Sequence, residues 1–212
     1  MLSDHIGKEL FPECGALQVI GRLAFPVFAY MIAEGCYYTK NRKKYFLSIF
    51  LLGAGCQTVY FIVEQSFYQN ILITFSLSVI LIFVTENYKE KGTKKSQILF
   101  CVTLLLVLLC AILLPLLLKN QGFAIDYGVY GVLLPVAVFY AENKEKKLLW
   151  ATIILIMLSY NMGGLQWASL LSVPLLALYN QKRGKYNIKL LFYIFYPAHL
   201  AVIYLISVLI NS

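Results

Sequence analysis

Apolar runs of helical length fill almost the whole of this chain. One of them, "ILFCVTLLLVLLCAILLPLLL" at 98–118, contains no charged residue. A helix that spans a bilayer needs about 20 such residues, whereas membrane β-strands alternate apolar and polar positions. Hydrophobic residues make up 60% of the 212 residues, charged residues only 13%, and no polar stretch is long enough for a soluble domain. The sequence therefore predicts an all-α fold, a polytopic transmembrane helical bundle that forms one domain over 1–212.

Polar breaks divide the chain into eight apolar spans. Several are shorter than the roughly 20 residues that a bilayer requires, so we expect short, tilted or kinked helices around a polar intramembrane site. Residues 1–11 read as the end of one more helix, which brings the prediction to about eight to nine spans. The eight spans cover 15–38, 45–63, 70–85, 97–118, 127–141, 148–160, 164–179 and 188–210.

Basic residues are concentrated in alternate loops. Most of the 18 lysines and arginines lie in 39–45, 86–97, 141–147 and 180–189. Under the positive-inside rule these loops face the cytoplasm, and the loops near 12–14, 64–69, 119–126 and 161–163 face outside. Membrane topology thus accounts for the net charge of +8, and no nucleic-acid partner is expected.

Three ionisable side chains fall inside predicted spans, where they are costly and often functional. Arg22 lies about 10 Å along its helix, and Pro26 is expected to kink that helix four residues later. His199 lies near the midplane of the last span. Glu34 is near the inner end of the Arg22 span. For each, a structural role stays open. Arg22 can form an ion pair or extend its side chain outward, and His199 can serve in packing. Glu34 can reach the cytoplasmic interface or pair with a nearby lysine.

The pair Asp4-His5 stands at a helix end that the topology places near the outer face. A histidine assisted by a carboxylate can act as a general base. Neighbouring helical residues point about 100° apart, so an acid from another outer loop, Asp126, is the better orienting partner for His5. Asp4 can instead pair with Arg22, and an interfacial cap is the structural alternative.

Other classes of site find no support. The five cysteines are odd in number and show neither a CxxC motif nor a Cys/His ligand spacing, so we expect neither a metal nor a catalytic thiol. No phosphate-binding glycine loop with a lysine occurs, and no GxSxG motif.

A set of short motifs in a fixed order resembles the TraX family, whose members include the acetylase of F-type pilin. The set begins with "DHIG…LFP" at 4–12, "GRLAFPVFAYMIAEG" at 21–35 and "NRKKY" at 41–45. It continues with "NILITF" at 70–75, "DYGVYG" at 126–131 and "LFYIFYPAHLAVIYL" at 191–205. TraX-like proteins usually carry an apolar helix before the Asp-His pair, of which only "MLS" stands here. We expect either that this Met is an internal one, so that "MLS" is a remnant of the helix, or that the helix is short.

The resemblance implies an acetyl-CoA-dependent membrane acyltransferase, and more narrowly an N-acetyltransferase. It would move an acetyl group from cytosolic acetyl-CoA to an amine, such as a peptide or pilin N-terminus, or to a hydroxyl. The acceptor would be an exported molecule at the outer face of a bacterial cytoplasmic membrane.

The resemblance also implies roles for individual residues. His5 would deprotonate the acceptor, oriented by Asp126 or Asp4. Arg22 would stabilise the oxyanion or hold CoA, and His199 would donate a hydrogen bond or relay the acetyl group. Three further residues would complete the acetyl-CoA pocket: Asn70, Tyr127 and Glu34.

Two readings from other classes compete with an enzyme. Buried charges on discontinuous helices also suit a small transporter or flippase. A non-catalytic membrane assembly factor is the other alternative, and it predicts that His5, Arg22 and His199 do not converge.

Overall fold

The computed structural model describes residues 2–11, 13–181, 194, 195, 197–199, 201–203, 205, 206 and 209. Contacts between residues group the chain into two compact units, which are described separately below. The first comprises Met1–Phe28 and Leu155–Ser212, and the second comprises Ala29–Ile154. The assignment of 1–212 to a single domain stays a prediction.

The all-α prediction is confirmed. Within the described part of the chain, four helical stretches are long and apolar enough to cross a membrane: Gly15–Tyr38, Arg42–Ile62, Ile71–Lys91 and Lys94–Leu117. Gly128–Tyr140 and Gly164–Leu178 are shorter apolar helices, as the short predicted spans at 127–141 and 164–179 require. The predicted span 188–210 and the basic loop 180–189 lie largely outside the described residues, so the count of eight to nine spans stays a prediction.

The first unit is built from short helical pieces. It contains α1 (Leu2–Glu9), α2 (Gly15–Arg22), the first turn of α3 (Ala24–Tyr38), the end of α9 (Lys144–Met162), a 3-10 helix (Gly164–Leu171) and α10 (Ser172–Leu178). Helical residues between 194 and 209 complete its described part.

The helix that carries Arg22 is broken where a kink was predicted. Helix α2 ends at Arg22, Leu23 forms a turn, and α3 begins at Ala24. Pro26 has no N–H to donate to the carbonyl of Arg22, so the helical hydrogen-bond ladder cannot run through this point. The break therefore lies on the N-terminal side of Pro26, and Arg22 is the last residue of its helix.

Helices α1 and α2 pack at backbone distance because glycines face the contact. A Cβ atom built on Gly21 would lie 2.3 Å from Cβ and 2.7 Å from Cα of Asp4. A Cβ atom on Gly7 would lie 3.0 Å from Cγ of Gln18. Small residues that admit close approach are the usual basis of helix packing in membranes. The main-chain contact at Gly21 brings the side chain following it, that of Arg22, next to α1.

The second unit holds the longer helices. These are most of α3, α4 (Arg42–Glu64), α5 (Ile71–Lys91), α6 (Lys94–Leu108), a π-helical turn (Leu109–Leu113), α7 (Leu114–Leu117), α8 (Gly128–Tyr140) and the start of α9. Two-residue strands β1 (Tyr68–Gln69) and β2 (Ala124–Ile125) pair in parallel. The sequence pattern did not predict this strand pair.

Helix α5 packs on α8 through small and hydroxyl side chains. Ser78 donates a hydrogen bond from Oγ to the carbonyl of Val132 on α8, 3.0 Å away. Thr74 donates to the carbonyl of Asp126, also at 3.0 Å. A Cβ atom on Gly131 would lie 2.8 Å from Cγ2 of Thr74, so α8 needs a glycine there. In an apolar medium such hydroxyls are satisfied within the helix pair, which ties the two helices together.

The two ends of the second unit match the predicted alternation of loops. The strand pair joins the loops 64–69 and 119–126, which were both predicted on the outer side. The other end of α5 brings together residues of the basic loops: Arg42 contacts Glu90, and Lys89 lies 3.9 Å from the ring centre of Tyr140. Loops predicted on the same side therefore do meet within this unit.

Replacing Gly21 with alanine is expected to destabilise the protein by about 1–3 kcal/mol, because the new methyl group overlaps the backbone of Asp4. Gly15→Ala in the same helix is the control, since a Cβ there meets nothing within 4 Å. Thermal unfolding of the purified protein in detergent measures both. Equal stability of the two variants would contradict the close α1–α2 contact.

Candidate functional site

Asp4 and Arg22 form an ion pair across the α1–α2 contact. The Nε atom of Arg22 lies 3.7 Å from Oδ1 of Asp4, and the two side chains are only 17% and 12% exposed. The pairing follows from the packing, because Gly21 holds the backbone of Asp4 beside the last turn of α2. Arg22, one of the partners proposed for Asp4, therefore contacts it, and a role of Asp4 toward His5 stays a prediction.

His5 and His199 face each other in the same unit. Their ring centroids lie 5.5 Å apart at an interplanar angle of 54°. His199 is almost fully buried, at 6% exposure, and its ring stacks on that of Phe195 at 5.0 Å. Atom Nδ1 of His199 lies 2.7 Å from the carbonyl oxygen of Phe195. A carbonyl only accepts, so Nδ1 carries the proton and, in the neutral ring, Nε2 keeps the lone pair.

Asp4 and His5 are consecutive residues of α1, so the ion pair and the histidine contact share one turn of that helix. We group Asp4, His5, Arg22 and His199 as one candidate site, the His–His site. An apolar cleft of about 320 Å³ adjoins it. The cleft is lined by His199 and by apolar side chains of α1 and of the C-terminal segment, among them Leu2, Ile6, Phe195 and Val202. The site thus combines an ion pair and two imidazoles with apolar surroundings, where charge–charge and hydrogen-bond interactions are stronger than in water.

A second polar feature of this unit was not predicted from the sequence. Gln166 and Ser169, on the 3-10 helix, are 3% and 0% exposed. The amide of Gln166 and the hydroxyl of Ser169 make no hydrogen bond to any residue that the structure describes. Leaving such a group unbonded costs about 1–3 kcal/mol. Their spacing of three residues predicts a shared helix face, but the sequence does not show that this face is buried.

Asp126 lies in the second unit, where Tyr68 contacts it. The hydroxyl of Tyr68 donates a hydrogen bond to Oδ1 of Asp126 at 2.8 Å, and the amide of Asp126 donates to the carbonyl of Gln69 at 3.0 Å. Partial burial and the charge of Asp126 raise the pKa of Tyr68 above its usual range, so this phenol stays a neutral donor. The role of Asp126 as orienting partner of His5 stays a prediction.

Asn70 and Tyr127, predicted to line the acetyl-CoA pocket, have structural roles in the second unit. Asn70 caps α5 by accepting a hydrogen bond from the amide of Leu72 at 3.0 Å. Its Nδ2 donates to the carbonyl of Gly53 and to Oε1 of Gln57, both at 2.9 Å, which ties α5 to α4. Tyr127 precedes α8 with a φ of +59°, a left-handed conformation that is uncommon for a residue with a side chain. Binding by either residue stays a prediction.

Glu34 pairs with a lysine, which was one of the structural alternatives for it. Its Oε1 lies 2.6 Å from Nζ of Lys147, and the two side chains are 6% and 15% exposed. The ammonium group also lies 5.9 Å from the ring centres of Tyr30 and Tyr37. Contact with acetyl-CoA stays a prediction for Glu34, and its observed partner ties α3 to α9.

Comparison with known proteins decides the family. The sequence model of the family described as "TraX protein" matches residues 1–207. The chain belongs to the TraX family. It is also similar to an uncharacterized protein of Rickettsia prowazekii strain Madrid E, with 28% identity over 149 residues, which is 70% of this chain and 54% of that relative. The chain thus spans about half the length of the curated relative it matches. No solved structure matches it.

In this TraX-family protein, the contribution of the buried Glu34–Lys147 ion pair to stability can be tested by substitution. Lys147→Met is expected to cost about 3–5 kcal/mol, because it leaves a buried carboxylate uncompensated. The double variant Glu34→Gln/Lys147→Met should recover most of that loss. Thermal unfolding in detergent measures all three proteins.

The exposed pair formed by Arg42 and Glu90 is the matched control. Its side chains are 42% and 53% exposed, so Arg42→Met should cost no more than about 1 kcal/mol. Equal losses for Lys147→Met and Arg42→Met would show that burial of Glu34 is not what makes its partner important.

Proposed function

We propose that this protein is a membrane-embedded acetyltransferase that uses acetyl-CoA as donor and an exported amine or hydroxyl as acceptor. The observation that carries the proposal is the His–His site. Two imidazoles with ring centroids 5.5 Å apart share one turn of α1 with a shielded Asp4–Arg22 ion pair. A purely structural packing role does not require four polar side chains to meet in an apolar unit, where each of them is costly. Membership in the TraX family supports the same reading.

The reaction needs one base and one group that stabilises negative charge. In the proposed step the acceptor nitrogen attacks the thioester carbonyl carbon, so that a C–N bond forms and the C–S bond breaks. His5 takes the proton that the acceptor loses and returns it to the departing thiolate, which leaves as the CoA thiol. With a hydroxyl acceptor, a C–O bond forms in the same way. A positioned histidine contributes about 10²–10⁴-fold to such proton transfers.

The remaining groups of the site have distinct tasks. Arg22 supplies guanidinium N–H donors for the oxyanion that develops on the carbonyl oxygen. Asp4 holds the guanidinium in place, because its carboxylate lies 3.7 Å from Nε of Arg22. The Nδ1 proton of His199 is held by the carbonyl of Phe195, so Nε2 keeps the lone pair in the neutral ring. Nε2 can therefore accept a hydrogen bond or, in a relay, the acetyl group.

The surroundings of the site suit these substrates. The cleft beside His199 has apolar walls, which favour an uncharged acetyl thioester and an acceptor carrying apolar residues. An exported peptide N-terminus is the acceptor that the resemblance to the F-pilin acetylase favours.

We assign the protein to a bacterial cytoplasmic membrane, with its basic loops in the cytoplasm. The positive-inside rule supports this orientation, and so does the meeting of basic loops at one end of the second unit. Asp4 and His5 then lie near the outer face. The donor would be drawn from the cytosol and the acceptor from outside.

His5→Ala is expected to lower acetyl transfer by about 100-fold or more, because the acceptor loses its base. Transfer is measured as label moved from acetyl-CoA in membrane vesicles, and as the acetyl mass shift of secreted and surface material. Ser3→Ala, in the same helix, is the control and should keep wild-type activity. Near wild-type transfer by a folded His5→Ala protein would refute the assignment of His5.

The orientation can be tested with a native cysteine. Cys14 is exposed and lies in the loop between α1 and α2, which is predicted to face outside. A membrane-impermeant maleimide applied to intact spheroplasts should label the wild-type protein, and Cys14→Ser should abolish most of that labelling. Labelling of Cys14 only after the cells are lysed would reverse the proposed orientation.

A further inference from the structure

A line of buried polar side chains follows the 3-10 helix of the first unit. Gln166 and Ser169 lie three residues apart on the 3-10 helix, which has three residues per turn, so the two share one face. Ser172, the first residue of α10, continues the same spacing. All three are buried. We call them the polar line. Buried polar side chains are normally hydrogen-bonded, so the partners of these three need to be identified.

The members of the polar line differ in their hydrogen bonds. The hydroxyl of Ser172 donates to the carbonyl of Ser169 at 2.6 Å. The hydroxyl of Ser159, on α9, donates to the carbonyl of Gln166 at 3.1 Å. Both of these serines therefore support the backbone of the 3-10 helix. The side chains of Gln166 and Ser169 themselves bond to nothing in the described part of the chain.

The polar line belongs to the same unit as the His–His site. The 3-10 helix packs against α2, whose last residue is Arg22. The buried residues of the 3-10 helix are Gln166 and Ser169, so its inward face carries both of them. A molecule bound there would thus lie along α2, the helix that contributes the cation of the proposed catalytic site.

The chemistry of the two side chains selects the ligand. Neither side chain is charged, so the pair does not suit an ionic ligand. The Gln166 amide offers N–H donors and a carbonyl acceptor together, which complements a secondary amide, and Ser169 can donate or accept. The two residues are offset by about 6 Å along the helix axis, at 2.0 Å per residue. They suit a flexible chain that carries successive amide groups.

We propose that Gln166 and Ser169 bind the pantetheine arm of the acyl-CoA substrate, an inference that rests on the function proposed above. That arm carries two secondary amides separated by two methylene groups, and its thiol end must enter the apolar interior. Hydrogen bonds from Gln166 and Ser169 replace those that the amides of the arm make with water outside the protein. The same bonds satisfy the buried side chains, whose unmet hydrogen bonds are otherwise a cost to the fold.

The variants Gln166→Met and Ser169→Ala test the proposal. Each should weaken binding of acetyl-CoA to the purified protein in lipid nanodiscs by about tenfold, because a buried hydrogen bond to the arm is lost. Each should leave the melting temperature without ligand unchanged or raised, since no hydrogen bond to a described residue is removed. Calorimetric titration and thermal unfolding measure the two properties.

Ser172→Ala is the matched control. It removes the same atom from the same line, but one that donates to the carbonyl of Ser169. It should lower the melting temperature and leave the affinity for acetyl-CoA at the wild-type value. The proposal is overturned if Gln166→Met and Ser169→Ala behave like Ser172→Ala, with lower stability and unchanged affinity.

A truncated ligand separates this proposal from the proposed function. S-acetylpantetheine contains the arm without the nucleotide, so its affinity should fall by the same factor as that of acetyl-CoA in the two variants. If the two variants bound acetyl-CoA more weakly but bound S-acetylpantetheine with wild-type affinity, the contact would lie on another part of the ligand. That result would overturn this inference and leave the proposed acetyltransferase activity intact. If the wild-type protein bound neither ligand, the proposed function would fail and this assignment with it.

Discussion

The close approach of α1 to α2 at Gly21 is the contact on which the candidate site depends. No side chain fits between Gly21 and Asp4, so the two backbones meet directly. This contact places the carboxylate of Asp4 beside Arg22 and sets His5, the next residue, in the same neighbourhood. A hydrophobic driving force between helices is weak in lipid, so fit between small residues determines which helices meet. The glycine is therefore as important to the proposed chemistry as the charged residues are.

The helix is also broken next to the candidate site, directly after Arg22. Pro26 prevents the helix from continuing in register, and Arg22 becomes the terminal residue of α2. The 3-10 helix next to α2 is likewise shorter in repeat and less regular than an α-helix. Irregular backbone at membrane depth is tolerated where it is buried in protein, and in the first unit it coincides with the polar side chains.

The second unit follows a different design, in which polar groups are satisfied internally. Asn70 uses its amide to cap α5 and to hold α4, and hydroxyls of α5 bond to carbonyls of α8. Glu34 finds its counter-charge in Lys147. Residues that sequence reasoning marked as candidates for binding thus have partners in the fold. The first unit differs, because Gln166 and Ser169 bond to no described residue and two histidines meet beside a cleft.

The sequence alone determined the helical class, the bounds of most spans, the alternation of the loops and the family. These properties depend on local composition and on the count of cations, both of which can be read residue by residue. Only the tertiary structure decided which candidates meet. Asp4 pairs with Arg22, Glu34 with Lys147, and His5 with His199, which is almost two hundred residues away in the chain. It also revealed Gln166 and Ser169, because an unmet hydrogen bond is a property of surroundings. Spacing within a sequence can indicate a shared helix face, but only packing shows what that face contacts.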